Sequence, residues 1–318
     1  MDTSKQHAIG IDIGGTNTKF GIVNHRGEII YEDALKTDDY PVVEDFIDAL
    51  YEKLHPVITQ KHILDVMGIG MGAPNGNFYS GTIEYAPNLK WKGVVPLAKL
   101  AADKFGIPAK LTNDANAAAV GEMMYGAARG MKDFIMITLG TGVGSGIVAN
   151  GQLILGHDGF AGELGHNIVI PDGRMHWHTG FKGSLESYAS ATGVVFTANE
   201  ILNSTDEPSI LRDFPVGELD SKKISEAALL GDAMAKKVFA FTGNILGMAL
   251  ANFVMFSSPQ AIILFGGLTK AGHLLMDPVK ESMERNLLPI FRNKVQLIFS
   301  ELKESDAAIL GASALVWG

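Results

Sequence analysis

Hydrophobic and polar positions divide the first part of the chain into alternating strands and helices. Residues 8–23 and 28–34 are rich in β-branched and other apolar side chains around a polar turn at 24–27, which predicts three consecutive strands. Over residues 42–59 the apolar side chains recur every three or four positions, which is the spacing of one helix face. The same signals predict strands at 66–71 and 109–112 and helices at 95–105 and 115–125.

The remainder of the chain begins with a second opening of the same kind. A strand, a glycine-rich turn and another strand span residues 135–148, followed by the hairpin-turn signal Asn150-Gly151. After these, the pattern predicts a loop at 171–186, a helix at 186–199, a polar surface excursion at 203–225, a strand at 261–265 and a helix at 306–316.

Strand–helix alternation with two similar openings predicts an α/β fold of two related lobes, with helices covering the sheets. We assign residues 1–117 to an N-terminal lobe, to which a C-terminal helix at about 303–318 returns. Residues 118–302 form the predicted C-terminal lobe.

Residues 238–256 carry no charged side chain and are long enough to cross a bilayer. Because this stretch contains Thr242, Asn244 and Asn252, we interpret it as a buried central helix. The 318-residue chain is 47% hydrophobic and 19% charged, which argues against disorder, and its net charge of −9 argues against nucleic acid as a partner. It has no cysteine, and residues 1–7 are polar, so we expect a cytoplasmic protein without a membrane anchor.

Two glycine-rich turns carry the candidate phosphate chemistry. The first is Asp12-Ile-Gly14-Gly15-Thr16, and the second is Gly140-Thr141-Gly142-Val-Gly144. Backbone N–H groups in such turns reach phosphate oxygens because glycine has no side chain in the way. Two like-built lobes closing on one polyphosphate are typical of an ATP-dependent phosphotransferase. Asp12 either holds a hydrated Mg²⁺ on the phosphates or caps its turn.

Asn113 and Asp114 lie where a predicted strand meets a predicted helix. Asp114 either caps that helix or serves as the general base that takes the proton of an attacking hydroxyl. If Asp114 is the general base and the attacking hydroxyl belongs to a sugar, Asn113 binds other hydroxyls of that sugar.

A second polar group of residues, Glu163, His166 and Glu186, is flanked by glycines. These side chains either converge on a polyhydroxylated ligand or form a solvated acidic loop. Gly266-Gly267, after a predicted buried strand, either allows close approach of adenine or ribose or is an ordinary turn.

Taken together, these motifs resemble the ROK family of sugar kinases, within the actin-like ATPase superfamily, over essentially the whole chain. The matching segments are Asp12–Thr16, Gly72-Ala-Pro74, Pro87-Asn-Leu-Lys-Trp91, Asn113-Asp-Ala-Asn116, Gly140–Gly144, Gly162-Glu-Leu-Gly-His166 and Gly266-Gly267. The resemblance implies two actin-like ATPase lobes of βββαβαβα type, with an active-site cleft between them.

The resemblance also implies roles for single residues. It makes Asp114 the catalytic base of a kinase that uses ATP and Mg²⁺, with Asp12 holding the metal through water. The implied sugar contacts are Gly72, Asn88, Asn113, Glu163, His166 and Glu186. The implied phosphate and nucleotide contacts are Gly14, Gly15, Thr16, Thr141, Gly142, Gly266 and Gly267.

The chain departs from the family at one place. Many members bind a structural zinc through the histidine that matches His166 and three cysteines, but this chain has Trp177, Thr179 and Ser184 at the cysteine positions. His176 and His178 lie one residue off that frame and are the alternative ligands. We expect no zinc site, with the loop held by packing of Trp177 and Phe181.

The resulting hypothesis is a hexose kinase that phosphorylates a glucose-like sugar at its 6-OH and forms a homodimer. Alternative acceptors are N-acetylglucosamine, N-acetylmannosamine and fructose. A sugar sensor without catalysis is a further alternative. The family's repressors carry a DNA-binding segment before the first phosphate loop, and the short acidic context here leads us to expect a kinase instead.

Overall fold

The structure is a computed structural model that describes residues 6–60 and 66–317. Residues 1–5, which belong to the polar stretch used above to expect no membrane anchor, lie outside the described residues. The chain divides into two compact units. One contains the residues up to Met131, Gly146–Gly162 and the residues from Ser300 onward, and the other contains Lys132–Ser145 and Glu163–Phe299. The lobe limits expected from the sequence stay a prediction.

The elements before residue 131 follow the predicted order. The strands are β1 (His7–Ile13), β2 (Asn17–Asn24), β3 (Ile29–Lys36), β4 (Val66–Gly72), β5 (Gly76–Asn77), β6 (Thr82–Glu84), β7 (Val94–Val95) and β8 (Ala109–Thr112). The helices are α1 (Val43–Gln60), α2 (Leu97–Phe105) and α3 (Asp114–Tyr125).

The later strands are β9 (Phe134–Leu139), β10 (Val143–Ala149), β11 (Gln152–Leu153), β12 (Ala261–Phe265) and β13 (Gln296–Phe299). The later helices are α4 (Glu186–Ala189), α5 (Ala191–Ser204), α6 (Ser221–Leu229), α7 (Ala233–Ser257), α8 (His273–Asn286) and α9 (Ala307–Ala314).

Two five-stranded sheets share one strand order. In the first, β3-β2-β1-β4-β8, the three opening strands are antiparallel neighbours, and β1, β4 and β8 run parallel. In the second, β11-β10-β9-β12-β13, strand β12 pairs in parallel with β9 and β13. Strand β1 lies in the middle of the first sheet, with β2 and β3 on one side and β4 and β8 on the other. Strand β9 has the same place in the second sheet, with β10 and β11 on one side and β12 and β13 on the other. The predicted duplicated α/β fold is confirmed.

Helix α9 packs on the first sheet with its backbone unusually close. A Cβ added to Gly70 of β4 would lie 1.8 Å from Ala312 O, and one added to Gly10 of β1 would lie 2.2 Å from Ile309 O. Only glycine leaves room for this approach. The helix thus completes the unit that contains the first residues of the chain.

Helix α7 is the one element among the described residues with the length and apolar composition of a membrane span. Most of its apolar side chains are buried within the second unit, including Phe239, Leu246 and Leu250. A Cβ added to Gly247 would lie 2.4 Å from Val279 O of α8, so the two helices pack closely. The interpretation of this segment as a buried helix is confirmed.

Two sequence-based expectations were wrong. The helix expected over 186–199 is broken, because Ser190 ends α4 and caps α5 by accepting the Gly193 N–H at 2.9 Å. The polar excursion expected over 203–225 includes the start of α6, whose first turn is capped by Asp220. Strand β13, helix α8 and the small sheet β5-β6-β7 were not predicted. Strands of two or three residues have no readable periodicity.

Candidate functional site

Three parallel strands of the first sheet end side by side, and predicted site residues lie at their carboxyl ends. Asp12 of β1 pairs with Gly72 of β4, and Gly72 pairs in turn with Thr112 of β8. Asp114 follows as the first residue of α3. A Cβ added to Gly72 would lie 3.6 Å from both Asp12 Oδ1 and Asp114 Cα. The two acidic residues therefore flank Gly72 at the sheet edge where α/β proteins bind ligands.

Both acidic residues have raised pKa values. The pKa of Asp12 is raised to about 6, mainly because the carboxyl is buried. The charge of Asp114 raises this pKa further, and the charge of Lys19 lowers it. Asp114 keeps contact with solvent, but the protein around it raises the pKa of its carboxyl through burial. The hydrogen bond that Asp114 Oδ1 accepts from the Ala115 N–H, at 2.9 Å, offsets this only in part. A carboxylate with a raised pKa is a better proton acceptor than one in water.

The cap of helix α3 is Asn113. Its Oδ1 accepts the Asn116 N–H at 2.7 Å, and its backbone is extended. Asp114 is the first residue of the helix itself, so the alternative that Asp114 serves as the cap is wrong. The Asn113 amide nitrogen has no part in this cap bond, so capping and sugar binding are compatible in one side chain.

The first glycine-rich turn links β1 to β2. Gly14 N–H donates to Asn17 O at 3.0 Å, which closes the turn. A Cβ added to Gly15 would lie 2.6 Å from Asn88 O, so this turn lies directly against the segment that contains Asn88. The Thr16 side chain is exposed, as is that of Asn88. The structure therefore brings Asn88 next to the first turn.

The second glycine-rich turn links β9 to β10 and contacts Glu186. Gly140 N–H donates to Gly142 O at 3.0 Å, and Thr141 is exposed. Val143 N–H donates to Glu186 Oε2 at 2.7 Å. A Cβ added to Gly142 would lie 2.5 Å from the same oxygen. Glycine at this position is therefore needed for the carboxylate to reach the turn.

The three predicted sugar contacts of the second unit lie in one cluster. His166 Nε2 is 3.9 Å from Glu163 Oε2. The His166 ring meets the His176 ring edge-on at 5.9 Å, and His176 Nε2 is 2.5 Å from Glu186 Oε1. Glu186 is half-buried and bonded through both oxygens, so the alternative of a solvated acidic loop is wrong for this residue.

The loop over 171–186 is held differently from what the sequence predicts. Trp177 stacks on His176 at 4.3 Å and on Phe196 at 5.6 Å, which confirms its packing role. Phe181 is 63% exposed and does not have that role. His176 is 3% exposed, and the sequence analysis did not predict its contact with Glu186. The one signal in the sequence is that His176 directly precedes Trp177, which stands at the first of the family's cysteine positions.

The Gly266-Gly267 turn borders a cavity in the second unit. Gly266 has φ of 104° and follows β12, and a Cβ there would lie 2.6 Å from Leu139 O. The cavity, of about 400 Å³, lies between α6 and the turn after Gly266. It is lined by Ser221, Lys222, Ser225, Glu226, Leu229, Gly267, Leu268, Lys270 and Ala271.

The residues at the family's zinc positions do not fit a zinc ion. Trp177 is stacked between two rings, and Ser184 Oγ is 2.8 Å from Ser187 Oγ. In residues 6–60 and 66–317 no group of three or more His, Cys, Asp or Glu could hold a metal ion. Asp12 does suit a hydrated Mg²⁺, since this ion takes one or two carboxylates together with phosphates and water.

Comparison with known proteins places these residues in context. A model described as the ROK family matches residues 8–318. The chain is 36% identical to a glucokinase of Halalkalibacterium halodurans, over 97% of this chain and 94% of the relative. It is 31% identical to a putative xylose repressor of a Caldicellulosiruptor species, over 97% of this chain and 77% of the relative.

A solved structure is similar over the same length. It is a ROK family glucokinase from Streptomyces griseus in complex with glucose and AMPPNP, with a TM-score of 0.79 and 35% sequence identity. The match covers 97% of this chain and 98% of that one.

Proposed function

The chain belongs to the ROK family, and from this premise we propose that it is an ATP-dependent hexose kinase that phosphorylates the 6-OH of glucose. The observation that carries the proposal is the pair Asp12 and Asp114 beside Gly72, at the carboxyl ends of parallel strands. The Streptomyces griseus relative, which holds glucose and an ATP analogue, supports the choice of substrates.

In this proposal Asp114 is the general base. Phosphoryl transfer needs little covalent chemistry from the protein, so positioning and charge account for most of the catalysis. The Asp114 carboxylate accepts the proton of the 6-OH while the hydroxyl oxygen attacks the γ-phosphorus of ATP. The bond from this phosphorus to the β–γ bridging oxygen breaks, and ADP leaves. The raised pKa of this carboxyl suits a group that takes up a proton.

The two glycine-rich turns bind the phosphates. Gly14, Gly15 and Thr16 in the first turn, with Thr141 and Gly142 in the second, offer backbone N–H and hydroxyl donors to phosphate oxygens. Asp12 holds Mg²⁺ through water. When bound, this ion neutralises charge on the phosphates.

The nucleotide base occupies the cavity beside Gly267. Its walls include the aliphatic side chains of Leu229 and Leu268 and the hydroxyl of Ser225, which suits a flat heterocycle with polar edges. Gly266 and Gly267 allow the ribose to approach the backbone closely.

The proposed contacts of the sugar are Gly72, Asn88, Asn113, Glu163, His166 and Glu186. Carboxylates, imidazole and amides suit this ligand because each sugar hydroxyl both donates and accepts a hydrogen bond. The set does not by itself select one hexose, so N-acetylglucosamine, N-acetylmannosamine and fructose are the alternative acceptors.

We further propose that the enzyme works in the cytoplasm as a homodimer, without nucleic acid or membrane as a partner. The lack of cysteine and the net charge of −9 support the compartment and the absence of nucleic acid. An exposed apolar groove that contains Ile168, Phe253 and Phe256 supports self-association.

The test is coupled release of ADP from Mg-ATP across glucose, mannose, fructose, allose, N-acetylglucosamine and N-acetylmannosamine. We expect strong turnover with glucose. Strong turnover with another sugar alone would show that this sugar, and not glucose, is the acceptor, and the proposed kinase activity would stand. Sugar binding without ADP release from any member of the panel would favour a sensor.

A further inference from the structure

The His176 imidazole lies at the centre of the loop that other family members close with a metal. Its ring is 3% exposed and stacks on Trp177 at 4.3 Å. Of the family's zinc frame only His166 is kept here, since Trp177, Thr179 and Ser184 stand at the three cysteine positions. Some other interaction must therefore hold the loop against Glu186.

The hydrogen bonds of His176 define which ring nitrogen carries the proton. Nδ1 lies 3.1 Å from the Thr179 N–H and 3.3 Å from the His178 N–H. Because both are backbone donors, Nδ1 accepts and carries no proton. The proton is therefore on Nε2, which donates to Glu186 Oε1 at 2.5 Å.

This donor fixes one side of the Glu186 carboxylate, and the second glycine-rich turn fixes the other. Val143 N–H donates to Oε2 at 2.7 Å. A carboxylate gripped by donors on both oxygens has one orientation, and hydrogen bonds to a charged group are stronger than those between neutral groups.

The loop that presents His176 is anchored independently at Arg174. The guanidinium donates to both Glu200 oxygens, at 2.9 and 2.6 Å, and lies 4.6 Å from the Tyr188 ring centre. Arg174 thereby ties the start of the loop to α5 through protein contacts.

We propose that His176 is a positioning residue that replaces the family's zinc: its imidazole closes the loop through Nδ1 and orients Glu186 through Nε2. The proposal rests on the proposed contact between Glu186 and the sugar. It assigns to this chain a metal-free way of building the sugar site.

The test compares two substitutions that each keep one half of the imidazole. His176→Asn keeps an acceptor near the Nδ1 position and removes the donor to Glu186. His176→Gln keeps a donor near the Nε2 position and removes the acceptor for the loop. His178→Asn is the matched control, because the His178 side chain is exposed.

We expect His176→Asn to raise the KM for glucose about tenfold or more, the usual effect of losing a hydrogen bond to a charged group. The KM for ATP should stay unchanged, and His176→Gln should affect the KM for glucose less than His176→Asn. The control should match the wild type. Equal KM values for glucose in His176→Asn and wild type, with Glu186→Gln impaired, would overturn the positioning role alone. An unimpaired Glu186→Gln would overturn the sugar contact of the proposed function, and the positioning role with it.

Two further measurements do not depend on activity. A two-bond ¹H–¹⁵N spectrum of the wild type should have the His176 proton on Nε2, and a proton on Nδ1 would overturn the proposal. Metal analysis should find no stoichiometric zinc, with the same Tm before and after treatment with a chelator. Bound zinc whose removal lowers the Tm would overturn the replacement of the metal.

Discussion

Asp12 and Asp114 have related environments but different proposed tasks. Both flank Gly72, and each has a pKa raised chiefly by burial. Asp12 lies near the end of strand β1, just before the first glycine-rich turn, whereas Asp114 begins a helix whose cap is its neighbour Asn113. The Asp114 carboxylate, which accepts only the Ala115 N–H among the hydrogen bonds described above, is thus available for proton transfer, because Asn113 caps the helix.

Replacing Asp114 by asparagine tests the general base. The amide is nearly the same size but cannot accept the hydroxyl proton, so we expect kcat to fall about 10²- to 10⁴-fold. Glucose binding, measured by calorimetry, should stay close to that of the wild type. A variant that keeps more than about a tenth of the wild-type kcat would contradict the role of Asp114.

The pH dependence of activity tests Asp12. Since its pKa is raised to about 6, Asp12 becomes protonated below this pH and loses its hold on hydrated Mg²⁺. We expect kcat/KM for Mg-ATP to fall as the pH drops through about 6. In Asp114→Asn the pKa of Asp12, followed by ¹³C carboxyl titration, should be lower, because a like charge has been removed. An unchanged pKa in that variant would contradict the coupling.

The same raised pKa has a consequence for stability. The folded state holds the Asp12 proton more tightly than the unfolded state, whose pKa is near the ordinary 3.8. Ionisation therefore costs stability as the pH rises from 3.8 to about 6. We expect unliganded Asp12→Asn to have a higher Tm than wild type at pH 7.5 and a similar Tm at pH 3.5. A Tm difference that is the same at both pH values would contradict this.

At the scale of elements, the contact of α9 with the first sheet depends on glycine. Gly10 and Gly70 have no space for a side chain, and Gly311 of α9 packs in the same way on α3, where a Cβ would lie 2.7 Å from Ala117 O. Each of these glycines lets two backbones meet, which places the helix over the strands that present Asp12 and Gly72.

Gly70→Ala tests this packing. Because the new methyl group would overlap a backbone oxygen, we expect a loss of about 3 kcal/mol in the free energy of unfolding, at the upper end for overpacked cores. Urea denaturation measures the loss. Gly140→Ala is the control: no atom lies within 4 Å of its Cβ position, and we expect a change within about 0.5 kcal/mol. Equal stability of the two variants would contradict the close packing.

The sequence predicted the elements with strong periodicity and missed those without it. The strands at Ala261–Phe265 and Ala109–Thr112 match the prediction because their apolar runs are bounded by turn residues. The break at Ser190 was missed since a serine within a helical pattern does not reveal whether it caps a new helix. The sequence singled out His176 only as an alternative metal ligand. Its contact with Glu186 was missed because it depends on a bond to a residue ten positions away and on two backbone donors that no periodicity encodes.

At the scale of the whole molecule, ligand binding should be visible as stability. Glucose at about 100 times its Kd should stabilise the protein by about 2.7 kcal/mol, which raises the Tm by several degrees. Differential scanning calorimetry measures this shift, with L-glucose as the control that a chiral site does not bind. The Asp114→Asn variant should respond to glucose like the wild type. An unchanged Tm in the presence of D-glucose would show that glucose is not the ligand.

The return of α9 to the first sheet also means that this unit is made from segments far apart in the chain. A ribosome releases the strands that carry Gly10 and Gly70 first, then the entire second unit, and only afterwards Ala307–Ala314. The earliest segments thus leave the exit tunnel with a glycine-lined face that has no cover until Ala307–Ala314 has also been made. Newly made chains therefore pass through a period in which every residue of the second unit has been made while the first unit still lacks α9.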